Sequence, residues 1–161
     1  MRELLLVVHI FLAIIWAGGI MFIGWGVFPA TLKLSLARQR YFLISLMKNT
    51  HYLFTLAGTF VIFTGILLGT VFGPIKTWGF LWHTTYGNIF IAALIIGLIT
   101  LLWGMLVGYR EMMIIFKDEF LWKEAEKGNK KPLIGQLIRL AALESVEVVG
   151  FVALVFLMVA F

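Results

Sequence analysis

Cysteine is absent from the chain, which excludes a disulfide framework, iron–sulfur ligation, thiolate zinc and a covalently attached c-type haem, since each needs the thiol sulfur. Any metal must therefore be held by His, Met or carboxylate. Charge is scarce as well: 13% of the 161 residues are Asp, Glu, Lys or Arg, about half the share in a soluble domain. So few charges leave too little polar surface to face water, which excludes a soluble enzyme domain. A Gly-rich phosphate loop, a His-Glu-x-x-His metalloprotease motif and a Ser nucleophile elbow are also missing. Phosphoryl transfer and hydrolysis thus have no residues to carry them, and redox or transport chemistry remains.

What the chain has in abundance is apolar sequence: 62% hydrophobic residues and a mean hydropathy of +1.04 make lipid its solvent. Four apolar stretches, at about 4–28, 52–72, 80–108 and 133–161, each reach the roughly 20 residues needed to cross hydrocarbon. The expected fold is an all-α, up-down four-helix membrane bundle forming one integral domain over residues 1–161. The first stretch is expected to stay in the mature fold. Only Arg2 precedes it, it outruns the roughly 7 to 15 residues of a signal h-region, and bulky Gly-Trp-Gly-Val-Phe-Pro ends it.

The net charge of +5 does not call for nucleic acid, because the basic residues sit in short connections and not on one folded face. Lys33, Arg38, Arg40 and Lys48 follow the first stretch. Arg110, Lys117, Lys123, Lys127, Lys130, Lys131 and Arg139 follow the third, and only Arg2 and Lys76 lie elsewhere. Because Lys and Arg flanking a span are retained in the cytoplasm, both basic connections are expected inside, with the N terminus, the second loop and the C terminus outside. Trp78 and Trp82 in that second loop read as an interfacial aromatic belt. The third connection, Glu111 to Lys131, alternates charges with Met112, Ile115, Phe120 and Trp122 and reads as a helical extension along the inner surface. Gly128 and Asn129 supply a helix stop and Pro132 a helix start.

Apolarity all round makes hydrophobic periodicity silent in a membrane helix, so stripes of small residues mark where helices approach. His9, Ala13, Ala17, Ile20 and Gly24 share one face of the first span. His51, Thr55, Gly58, Ile62, Gly65, Gly69 and Gly73 share a face of the second. His83, Gly87, Phe90, Leu94, Gly97, Leu101, Gly104 and Gly108 share a face of the third. All three histidines are therefore expected to point inward, unless the glycines serve packing alone and each imidazole bonds a neighbouring carbonyl. His9 and His83 fall near the outer ends of parallel helices and His51 near the inner end. Two imidazoles facing across the bundle could clamp the iron of a haem b, with glycines such as Gly87 making room and Trp16, Phe90 and Trp82 as neighbours. Copper competes for the same donors, since imidazole and thioether both suit it. Met21 and Met105 are candidates, although the seven Met form no Met-x-x-Met cluster.

The fourth span adds Glu144 and Glu147, one turn apart, with Arg139 nearer the cytoplasm. Carboxylates inside a membrane are costly and are usually functional. Three roles are open to them: a proton relay, a counter-charge for a metal, or an ion pair with Arg139 or Lys48.

The run Leu-Leu-Val-Val-His9-Ile-Phe-Leu-Ala-Ile-Ile-Trp16-Ala-Gly18-Gly19, followed by Phe28-Pro29, resembles the opening of the CopD copper-resistance superfamily, which begins with a His, then Trp-x-Gly-Gly, then Pro. The same helix is similar, more distantly, to the HemJ family, which binds b-type haem. His9 is the residue that carries over. HemJ-like proteins have a lysine before a later span, where this chain has Phe80-Leu81-Trp82-His83-Thr84. The resemblance implies a multi-pass protein of the prokaryotic cytoplasmic membrane. The leading expectation is a b-type cytochrome, a haem-dependent oxidoreductase whose haem sits on His9 and His83, with His51 as a further ligand. It would exchange electrons with a quinone or a periplasmic redox protein. The alternatives are a CopD-like copper transporter and a cofactor-free assembly subunit, and small-residue faces would suit a homodimer.

Overall fold

A computed structural model describes residues 1–160. Among them there is no strand, and four helices are long and apolar enough to cross a membrane: α1 (Arg2–Thr31), α2 (Leu36–Gly69), α4 (Thr85–Lys117) and α6 (Lys131–Val159). The chain is a multi-pass membrane protein. Two short helices complete it, α3 (Trp78–His83) before α4 and α5 (Glu119–Glu126) before α6.

The helices are built from local signals. Ser35, in extended conformation, starts α2, and Thr77 accepts a hydrogen bond from the Phe80 amide to cap α3. Asp118 accepts from the Leu121 amide at 3.0 Å to cap α5. That helix ends in a Schellman arrangement: the Asn129 amide reaches the Glu124 carbonyl, the Gly128 amide reaches that of Ala125, and Gly128 takes φ +107°. Pro132 sits in the first turn of α6. The expected stop and start both occur.

Several helix bounds differ from the sequence reading. The second helix begins at Leu36 rather than near 52, because Leu43 and Met47 are buried on one face while Arg38 and Lys48 stay exposed. Charges on the open face hid an amphipathic turn that continues the apolar run. The third stretch is two helices: Thr84 is extended (ψ 150°) and its hydroxyl both donates to the Phe80 carbonyl and accepts from the Gly87 amide. It then runs past 108 to Lys117. The fourth span ends at Val159, and the expected last residue, Phe161, lies outside the described residues.

Two cores hold the bundle. One contains Trp16, Ala57, Leu101 and Phe151, one residue from each long helix, with the Trp16 and Phe151 rings edge-to-face at 5.0 Å. The other lies at the end carrying the basic connections and joins Leu43, Met47, Phe116, Trp122, Leu133 and Leu140. There the α4–α5 corner is fixed by the Trp122 indole donating to the Ile115 carbonyl at 3.0 Å. Arg40 closes the same corner by donating to the carbonyls of Phe116 and Lys117 at the end of α4.

Candidate functional site

Between these two cores lies a cavity of about 410 Å3. Its boundary away from the basic connections is Trp16 and Leu101, and its basic-end boundary is Leu43, Met47, Phe116 and Leu140. All three long-helix segments with π-helical turns border it. The segment Ile14–Gly18 supplies Trp16, Ile23–Val27 supplies Gly24 and Trp25, and Gly104–Gly108 supplies Gly104 and Met105. Such turns rotate side chains out of α-helical register and often occur at functional sites.

The polar groups of this largely apolar wall are few. His51 on α2 stacks on the Tyr109 ring of α4, with centroids 3.7 Å apart and planes 16° from parallel. Met21, Met47, Met105 and Met112 bring four thioethers from α1, α2 and α4. Glu144 and Glu147 come from α6. Glu147 is 3% exposed, and its carboxylate lies on the bare backbone of Gly104, where any Cβ would collide with Oε1. A Cβ on Gly108 would likewise come within 2.8 Å of Glu144 Oε1. The α4 glycines thus seat the two acids of α6.

The ion pair expected for these acids does not form. Arg139 pairs instead with Glu111, at 3.6 Å, and no Lys or Arg lies within 4.0 Å of Glu144 or Glu147 among the described residues. Arg139 is exposed and reaches α4 at Glu111, nearer the basic end than the two acids. Oε1 of Glu144 is buried with no hydrogen-bond partner. An unpaired charge in such surroundings costs several kcal/mol.

The histidines part company. His9 meets α2 at Thr64 and Gly65: its Nδ1 is 2.8 Å from the Thr64 hydroxyl, and its Cε1 sits 3.3 Å from where a Gly65 Cβ would be. Thr64 directs its own proton to the Phe60 carbonyl at 2.7 Å. His9 therefore donates from Nδ1 and keeps its lone pair on Nε2. Its hydrogen-bonding neighbours on α2 are the Thr64 hydroxyl and the backbone of Val61. His83, expected to point into the bundle, is exposed at the end of α3, because the break at Thr84 takes it off the face of α4. No ring contact joins it to His9 among the described residues.

The remaining site candidates are placed by packing. Trp16 lies against Gly58 and Leu101, and Phe90 lies on Gly69. Gly87 receives the carbonyls of Phe80 and Leu81, which lets α3 fold onto the start of α4. Trp82 is exposed. The glycines expected to make room for a porphyrin are filled by protein side chains at Gly58, Gly65, Gly69, Gly104 and Gly108.

Sequence reasoning passed over Met47, Tyr109, Met112 and Thr64. The signal for the first three was spacing: Met47 and His51 are four apart, and Met105, Tyr109 and Met112 follow steps of four and three, one face of one helix each. Among the described residues no three His, Asp or Glu side chains gather closely enough to hold a metal without other donors. No protein-family model, curated protein or solved structure matches this chain.

Proposed function

We propose that the protein handles copper as cargo, binding the ion in the cavity between its two cores and moving it within the membrane. The observation that carries this reading is the chemistry of the cavity lining: four thioethers, one imidazole and two carboxylates that no protein cation neutralises. Thioethers select soft Cu(I) over the harder divalent ions, and imidazole suits copper in both oxidation states. The carboxylates supply the counter-charge that makes a cation welcome at membrane depth. Met21 and Met105, the two thioether candidates for copper, line this cavity together with His51. Under the rule that basic connections stay in the cytoplasm, the cavity opens in the cytoplasmic half of the membrane. The CopD resemblance of the first helix points the same way.

A haem b is the second reading, and two observations favour it. The cavity's volume falls within the roughly 300–1,000 Å3 of organic-cofactor sites. Outside that cavity, beyond the Trp16 layer, His9 is bonded to Thr64 through Nδ1 and presents Nε2 in the arrangement that metal-ligating imidazoles adopt. A haem so bound would make the protein an electron carrier between a quinone and a periplasmic partner.

One experiment separates the two. Protein purified in mild detergent is analysed for copper and iron, scanned oxidised and dithionite-reduced, and titrated with Ag(I), a redox-inert stand-in for Cu(I). The copper account predicts a colourless protein that takes up Ag(I), with at least tenfold weaker uptake when Met21, Met47, Met105 and Met112 are replaced by Leu. A sharp reduced α band with stoichiometric iron would replace it with the haem account.

A further inference from the structure

We infer that the same cavity accepts bulky lipophilic organic cations, with Glu147 as the counter-charge. The argument rests on the copper reading only in sharing its cavity, and begins from a mismatch of size. A single metal ion needs a small cage, whereas this space of about 410 Å3 is that of a drug-sized molecule. Its wall is mostly apolar and carries aromatic side chains from three helices, Trp16 from α1, Phe54 from α2 and Tyr109 from α4 among them. Aromatic faces attract a cation by the ring quadrupole, most strongly where water is excluded.

The second observation is Glu147 itself. It is 97% buried by its 3% exposure, it lines this cavity, and among the described residues it makes no hydrogen bond or ion pair. Its side chain is seated on Gly104 by the packing of α4 on α6, so it is not at liberty to swing out to water. Glu144, a turn nearer the basic end, faces the same space with an oxygen that is likewise unsatisfied. The other titratable groups on the wall are His51 of α2 and Tyr109 of α4, stacked on one another, and no Lys or Arg lines it. A cation whose charge is spread over apolar groups would satisfy both the wall and the acids without any ligand field. Such cations partition into lipid and can reach the site through the bilayer.

The test uses the full-length protein in lipid nanodiscs, with empty nanodiscs as the partition control. Two probes of matched size and shape and opposite charge are compared: tetraphenylphosphonium and tetraphenylborate. Saturable binding of the phosphonium only, weakened roughly tenfold or more in Glu147→Gln, is the expected result. Equal binding of both ions, or no saturable phosphonium binding above the control, would overturn the inference. The comparison of probes on the unsubstituted protein decides the matter even if Glu147→Gln fails to fold. Ag(I) uptake without phosphonium binding leaves the copper account standing and removes this inference alone. Phosphonium binding without Ag(I) uptake does the reverse.

Discussion

The Glu147 carboxylate lies against the Cα of Gly104, in the space that every other residue would fill with its Cβ. The contact fixes the separation of α4 and α6, which are further tied by the Trp103 indole donating to the Leu143 carbonyl at 3.0 Å. Gly104→Ala must therefore push the acid or the helix away. Overpacking of this kind costs about 1–3 kcal/mol. Thermal unfolding in detergent is expected to show a lower Tm for Gly104→Ala, and little change for Gly135→Ala, whose Cβ would meet nothing. Equal Tm values for the two variants would mean that the seat is not tight.

Trp16 closes the layer to which each long helix contributes one residue. Trp16→Ala removes the ring from between Gly58, Leu101 and Phe151, an effect of about 3–5 kcal/mol. The loss is read as an unfolding free energy in mixed micelles. A loss under about 1 kcal/mol, as for a side chain facing lipid, would contradict the assignment of this layer as core.

Thr64 orients His9. Thr64→Val keeps the shape and deletes the acceptor, so it should cost about 1 kcal/mol of stability. Nitrogen NMR of labelled imidazole should show His9 as the Nδ1–H tautomer in the unsubstituted protein and as a tautomer mixture in Thr64→Val. The same spectrum in both proteins would break the link.

Topology is testable without background, because the chain has no cysteine. Gly79→Cys, at a position with open space around it, is expected to react with a membrane-impermeant maleimide on intact cells. Lys130→Cys is expected to react only after the membrane is opened. The opposite pattern would invert the bundle and place the cavity in the outer half.

Some of this was legible in the residues alone. Gly128, Asn129 and Pro132 announce a stop and a start because backbone geometry is a local property. Glu144 and Glu147 stand out because a charge inside an apolar run has few innocent explanations. Other features were hidden for physical reasons. Arg38, Arg40 and Lys48 interrupt the hydropathy of α2 without interrupting its helix, since Arg38 and Lys48 occupy its open face and Arg40 spends its charge on the carbonyls at the end of α4. The Thr84 hydroxyl ends one helix and starts the next, and that double role took His83 off the stripe that spacing had assigned to it. Which side chain fills each glycine seat is a tertiary fact: the spacing of Gly58, Gly65 and Gly69 predicts close approach but not that Trp16, His9 and Phe90 supply it. The cavity's methionines are scattered among equally apolar neighbours, and only the packing of α1, α2 and α4 gathers them.

The central claim is that thioether sulfur and one imidazole hold the cargo, and X-ray absorption spectroscopy of the Cu(I)-loaded protein addresses it most directly. The account predicts a first shell dominated by sulfur with one imidazole, the imidazole signal vanishing in His51→Ala and the sulfur signal falling in Met47→Leu with Met105→Leu. A shell of oxygen and nitrogen alone, unchanged in those variants, would contradict it.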